Sequence, residues 1–311
     1  MIKVEITSND GGQRLDRFLK KYLKRAPLSA IYKIIRKDLK LNGKRAKEDT
    51  LLKDGDELVL YMDEQRFEEL TGPVKKHRAR RQFKVAYEDE NVLIVIKPKG
   101  LLTHGDSREK KNTLMNQVCG YLQDKGEYDP AGEKVFTPSP VNRLDRNTTG
   151  LVIFGKTAPA LRQLTALIRE REAVSKYYLT IVAGSFDKEM VIEESLLKDE
   201  RRNTVSVSER GQISKSIVRP LKQTGDGRFS LVEVELVTGR THQIRVHMSY
   251  IKHPLLGDEL YGPSRNKQGA KRQMLHARVL GFVHPATGEY MEFSSPLPED
   301  FGKILDNLRR T

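Results

Sequence analysis

Asn142-Arg143-Leu144-Asp145-Arg146-Asn147-Thr148-Thr149-Gly150 runs directly into Leu151-Val152-Ile153-Phe154. The second half is a short apolar run that stops at Gly155-Lys156 and reads as a buried strand. The first half is a turn that sets one carboxylate between two arginines. A carboxylate so flanked is oriented by its neighbours, a useful state for a nucleophile or a base. Taken alone, an Asp in a surface turn is usually structural, so the reading of Asp145 depends on what surrounds it.

Outward from this stretch the strand signals accumulate. Val92 to Ile96 ends at Lys97-Pro98-Lys99-Gly100, Tyr178 to Val182 ends at Ala183-Gly184, Leu231 to Leu236 alternates with period two, and Tyr290 to Phe293 lies near the end. Thr238-Gly239-Arg240-Thr241-His242-Gln243-Ile244-Arg245-Val246-His247 reads as a second basic strand. Helical spacing is confined chiefly to Leu161 to Arg171 and Lys303 to Arg309. Strands without regular βαβ alternation predict an α+β fold on a mixed, largely antiparallel sheet over residues 83–311.

The first 64 residues have another character. Leu15, Phe18, Leu19, Tyr22 and Leu23 fall on one face of a helix, and Ser29 is placed to cap a second with Ile31, Ile34 and Ile35 inward. Lys33, Arg36 and Lys37 are then free to point outward. Strand-like Leu39 and Leu41, an Asn42-Gly43 turn followed by Lys44, and Glu57 to Leu60 complete a small α/β unit. Residues 1–61 hold fifteen Lys or Arg against nine Asp or Glu, which favours RNA contact over a merely solvated face. Residues 65–82 pair an acidic block with Lys75-Lys76-His77-Arg78-Ala79-Arg80-Arg81 around Gly72-Pro73 and read as an exposed linker.

A chain of 311 residues with 37% hydrophobic residues can bury two cores, and its net charge of +14 points to a polyanion such as nucleic acid. No apolar run is long enough to span a bilayer and the N-terminus begins no signal peptide, so a cytoplasmic protein is expected. The single cysteine, Cys119, sits in an apolar-periodic segment and reads as a buried structural thiol. His242, His247 and His253 lie close in sequence but at no metal-ligand spacing, so no metal site is expected.

Arg143, Leu144, Asp145, Thr148 and Gly150, with Gly239-Arg240-Thr241-His242-Gln243-Ile244-Arg245 and His247, resemble the paired HRLDxxTSG and GRTHQIRxH signatures of RluA-type pseudouridine synthases. Asn142 departs from the usual His, Asn147 from a frequent Asp and Thr149 from Ser. Ser175-Lys176-Tyr177-Tyr178 resembles the family's K-x-Y motif, and further matches run from Tyr87 to His104 and from Leu275 to Glu289. The N-terminal unit resembles the S-four RNA-binding domain, and the whole is most similar to the RluC-like subgroup that acts on large-subunit ribosomal RNA. The resemblance implies a pseudouridine synthase fold that isomerises uridine in structured RNA without a cofactor, a membrane or an obligate protein partner. It implies Asp145 as the catalytic carboxylate, Arg245 as its ion-pair partner, Tyr178 exposed in the same cleft, and Arg143 as an RNA contact able to fill the place of an extruded base; strand alternation sends Tyr177 to the opposite face, towards the core. Attack of Asp145 on C1′ and removal of the 2′ proton both remain open. An RNA-binding protein without chemistry is the rival reading.

Overall fold

The computed structural model describes residues 1–73, 79–170, 173–263 and 269–309. Lys75, Lys76, His77 and Arg78 of the expected linker, and Arg171 at the end of an expected helix, lie outside them.

The N-terminal unit comprises β1 (Ile2–Glu5), α1 (Leu15–Tyr22), α2 (Leu28–Lys37), β2 (Leu39–Leu41), β3 (Glu57–Leu60) and α3 (Glu64–Thr71). Its three strands form an antiparallel sheet in the order β1-β3-β2. Leu15, Phe18 and Leu19 meet Ile31, Ile34 and Ile35 in one buried cluster, as the helical spacing requires. Leu41 and Lys44 exchange both backbone hydrogen bonds across Asn42 (φ 51°) and Gly43 (φ 74°), the left-handed pair that a two-residue hairpin demands.

Two expectations for this region are corrected. Ser29 does not cap α2: the helix starts at Leu28, Pro27 is its extended N-cap, and the Pro27 carbonyl accepts from Ala30 and Ile31. Proline serves here because its fixed φ suits the helix entrance and its missing N–H is not needed there. Residues 65–71 of the expected linker instead belong to α3, which starts at Glu64. Asp63 accepts from the Arg66 amide at 2.7 Å, and Phe67 and Leu70, one turn apart, pack on the N-terminal core. Two apolar residues at that spacing suffice to dock a helix that is otherwise polar.

The larger unit comprises β4 (Lys84–Glu88), β5 (Val92–Lys97), α4 (Leu114–Asp124), β6 (Ser139–Pro140), β7 (Thr149–Gly155), α5 (Ala158–Glu170), β8 (Val174–Ala183), β9 (Met190–Asp199), β10 (Thr204–Val207), β11 (Gln212–Gln223), β12 (Phe229–Leu236), α6 (Gln243–Tyr250), β13 (Leu275–Val283), β14 (Tyr290–Ser294) and α7 (Glu299–Arg309). Its eleven strands make one sheet, in the order β10-β9-β11-β12-β8-β13-β7-β5-β4 with β14 on β13 and β6 on β7. Pairing is antiparallel except where β13 meets β7, with His276 beside Thr149 and Ala277 beside Gly150. This is the mixed, largely antiparallel sheet that the strand pattern predicts. Cys119 is buried in α4, and burial pushes its thiol up to about 12.

The stretch read as a second basic strand is a turn followed by α6. Gln243 to Met248 are all buried. A helix covered on every side needs no 3.6-residue apolar stripe, so the alternation of Gln, Ile, Arg, Val, His and Met mimicked a strand.

The two units touch through the loop after β1. The Asn9 side chain donates to Glu133 at 2.7 Å and accepts from the Ala158 amide at the start of α5 at 2.8 Å, while Lys134 pairs with Asp10 at 3.2 Å and Arg162 donates to the Gly11 carbonyl at 3.2 Å.

Candidate active site

Asp145 sits in the loop that feeds β7, and every carbonyl from 144 to 147 in that loop is held. Leu144 is buried in the main core beside Tyr178, Ile244 and Leu275. The buried Thr103 hydroxyl donates to the Leu144 carbonyl at 2.9 Å and accepts from its amide at 3.1 Å. The Asp145 carbonyl accepts from the Thr148 amide at 3.1 Å. Lys97 Nζ donates to the carbonyls of Arg146 at 3.0 Å, Leu101 at 2.7 Å and Pro98 at 3.0 Å. Arg272 Nη1 donates to the Asn147 carbonyl at 3.1 Å, and its remaining nitrogens grip Asp300 of α7 at 2.9 Å each. Burial pulls the Lys97 ammonium down to about 7, with the Asp145 charge opposing.

Gly150 ends the loop at φ 115°, where a Cβ would lie 2.1 Å from the Ala277 carbonyl oxygen. Only glycine permits the parallel contact of β7 with β13 at that point. Asn142, in place of the usual His, pairs with the backbone of β7, donating to Leu151 at 3.2 Å and accepting from Ile153 at 3.0 Å.

Thr103→Val keeps the shape of that side chain but strips both hydrogen bonds from buried Leu144. It is expected to cost about 1–3 kcal/mol in a denaturant titration, and turnover should fall through loosening of the Asp145 loop.

α6 brings the second half of the site. Gln243 and His247 fasten the helix to β11. The Gln243 amide donates to Ser216 Oγ at 2.9 Å and the Lys215 carbonyl at 3.0 Å, and the two His247 nitrogens lie 2.7 Å from Ser214 Oγ and 3.1 Å from Ser216 Oγ. Burial takes the His247 imidazole down to about 4, so it stays neutral. Between these anchors Arg245, 8% exposed, grips Asp258 through Nε at 2.7 Å and Nη2 at 2.9 Å. Nη1 is left to meet Asp145 Oδ2 at 3.1 Å. The guanidinium lies over the Tyr261 ring, 5.0 Å from its centroid, and His242 Nε2 stands 3.8 Å from the same Asp145 oxygen.

Tyr178, expected to be exposed in the cleft, is 6% exposed and belongs to the main core, although it lines the cavity holding Asp145. Burial first, then the Asp145 charge, raises its phenol far above the usual range, so it stays protonated. Tyr177, expected in the core, is only half-buried on the other face of β8, near Glu235 and Arg219. Strand alternation does set the two tyrosines on opposite faces of β8, but the buried face is that of Tyr178.

The inner cavity, about 180 Å³, is lined by Arg143, Asp145, Thr148, Tyr178, Arg240 and Arg245. An outer cavity of about 470 Å³ adjoins it, with Arg146, Lys198 and Asn203 among its walls. Arg143 is exposed and borders both. Lys33, Arg36, Lys37 and Lys44 are exposed on the N-terminal unit. Among the described residues no three His, Cys, Asp or Glu side chains cluster as a metal site, and no helix is long and apolar enough to cross a membrane. Sequence reading did not single out Thr103, Asp258, Tyr261 or Arg272. Nothing in their local sequence distinguishes them, because their roles arise from contacts between distant segments.

Residues 91–250 match the family model described as RNA pseudouridylate synthase. The chain is 34% identical over 320 residues to the ribosomal large subunit pseudouridine synthase C of Escherichia coli (strain K12), covering 98% of this chain and 96% of that protein. It is 33% identical over 317 residues to the protein of the same name from Vibrio parahaemolyticus, covering 99% and 96%. Among solved structures, human RNA pseudouridylate synthase domain containing 4 superposes with a TM-score of 0.57 at 23% identity, covering 72% of this chain and 92% of that one. That likeness bears on the fold alone.

Proposed function

The chain belongs to the RNA pseudouridylate synthase family, and on that premise we propose that it isomerises uridines of large-subunit ribosomal RNA, with Asp145 acting at the sugar. The reaction breaks the bond from C1′ to N1, turns the base and joins C1′ to C5, while the C5 proton leaves and N1 gains one. The observation that carries the site reading is the Asp145 carboxylate held by Arg245 in a cavity of about 180 Å³. Such a cavity is below the ~300 Å³ of ordinary ligand pockets and suits one extruded base. Protonated Tyr178 supplies a ring against that base, and Arg143 at the rim is placed to contact the strand it leaves. Mapping pseudouridine in ribosomal RNA from cells with and without the gene tests the substrate. Conversion that persists unchanged without the gene would overturn it.

The N-terminal unit supplies affinity in this reading. Lys33, Arg36 and Lys37 share the outward side of α2, and Lys44 tips the neighbouring hairpin. Reversing Lys33, Arg36 and Lys37 to Glu is expected to raise the RNA concentration for half-maximal rate at least tenfold, with turnover at saturation within about twofold. Because the chain carries +14, RNA affinity should fall roughly a hundredfold between 50 and 200 mM salt if about five phosphates are neutralised. A filter-binding series over that range checks it.

A further inference from the structure

We infer that His242 and Tyr261 form a positioning pair that gathers the protein's contacts onto one oxygen of the Asp145 carboxylate and leaves the other to the sugar. This deepens the reading of Asp145 as the catalytic carboxylate and rests on it.

His242 has a left-handed backbone, φ 54°, at the residue before α6, and its side chain makes no capping bond to that helix. A non-glycine residue is uncommon there, and the side chain is engaged elsewhere. Its Nδ1 lies 2.8 Å from Tyr261 Oη, with the two rings edge to face at 5.6 Å. Tyr261 Oη already accepts from the Val205 amide at 2.8 Å, so its own proton needs an acceptor, and His242 Nδ1 is in position to be it. An imidazole that accepts at Nδ1 carries its proton on Nε2. Burial, reinforced by the Arg245 and Arg143 charges against those of Asp145 and Asp258, lowers the affinity of this ring for a second proton.

The Nε2–H therefore faces Asp145 Oδ2 at 3.8 Å, just beyond hydrogen-bond length, on the same atom that Arg245 Nη1 holds at 3.1 Å. Among the described residues, the ion-pair contacts to this carboxylate fall on Oδ2. Tyr261 serves both neighbours, its ring lying under the Arg245 guanidinium and its hydroxyl fixing the tautomer of His242. With the opposite tautomer, the Nε2 lone pair would face the carboxylate and repel it. The pair thus sets the direction in which the free oxygen points, the kind of alignment on which near-attack geometry depends.

The test uses the full-length protein on an RNA that the parent modifies, measuring turnover at saturating RNA and the RNA KM. Tyr261→Phe keeps the ring beneath Arg245 and removes only the hydroxyl. His242→Gln places an amide N–H near the position of Nε2, whereas the shorter His242→Asn does not reach it. Turnover is expected to fall about tenfold or more in Tyr261→Phe, His242→Ala and His242→Asn, with KM within about twofold. His242→Gln should recover most of the loss. Turnover within twofold of the parent in both His242→Ala and Tyr261→Phe would overturn the inference, as would equal losses in the Gln and Asn variants or a loss confined to KM. Thermal melts identify any variant that is unfolded at the assay temperature, and the remaining ones then decide. Asp145→Asn, run alongside, separates the two levels: if it keeps turnover, the reading of Asp145 itself fails, whereas its inactivity beside unaffected His242 and Tyr261 variants removes only the positioning pair.

Discussion

Asp145→Asn is expected to lower pseudouridine formation at least about a thousandfold while leaving RNA affinity within about threefold. The substitution exchanges one carboxylate oxygen for an amide nitrogen of nearly the same size, so the loop held by Thr103, Lys97 and Arg272 has no reason to move. Both routes open to the residue, attack on C1′ and removal of the 2′ proton, need a basic oxygen. Loss of a positioned acid or base alone is worth about 10²–10⁴ in rate, and loss of a covalent step adds to it. In the proposed reading affinity rests on phosphate contacts spread over a surface of strong positive charge, and deleting one negative charge does not weaken those. Single-turnover assays with radiolabelled uridine RNA, paired with equilibrium binding, separate the two quantities. Retained turnover in a well-folded Asp145→Asn protein would falsify the assignment.

Arg245→Ala should damage stability and chemistry together. Arg245 is the partner of two carboxylates, and one of them, Asp258, has a side chain only 1% exposed. Without the guanidinium, the donors left to Asp258 among the described residues are the amides of Leu260 and Tyr261. A buried charge left in that state costs about 3–5 kcal/mol, which a urea titration resolves readily. Turnover should fall as well, because Asp145 Oδ2 loses the contact at 3.1 Å that orients it. Pairing Arg245→Met with Asp258→Asn removes both buried charges while keeping an acceptor for the two amides. This double variant is expected to regain much of the stability and none of the turnover. If turnover returned with stability, Arg245 would be serving the fold alone.

The strands of the large sheet were legible because Val92 to Ile96 and Leu151 to Phe154 are apolar runs bounded by Gly or Lys-Pro, and burial on both faces favours such runs. The helix pair of the N-terminal unit was legible because one face is wet, which prints a 3.6-residue period into the sequence. α6 was not legible for the converse reason: with Gln243 and His247 satisfied by Ser214, Ser216 and Lys215, polar residues occupy the interior and erase the period. α3 was not legible because the apolar side chains that pack it on the N-terminal core, Phe67 and Leu70, stand within an acidic run. In the site, motif resemblance singled out Asp145 and Arg245, which stand in contact. Asp258, Tyr261, Thr103 and Arg272 act through partners 13 to 125 residues away, and no local pattern encodes a partner at that distance.

The clamp on the Asp145 loop has a temporal consequence. Its first two holders, Lys97 and Thr103, precede the loop in the chain, but Arg272 and the Asp300 that steadies it come near the end, as do Arg245, Asp258 and Tyr261. Translation delivers the N-terminal unit with its own core first, and domains fold as units while synthesis proceeds. The exposed basic side of α2 therefore exists on the ribosome well before the carboxylate is aimed. If the basic side of α2 contacts RNA as proposed, a nascent or prematurely terminated chain ending before residue 272 is expected to hold RNA without modifying it, and premature termination then yields a competitor of the finished enzyme rather than a weaker version of it.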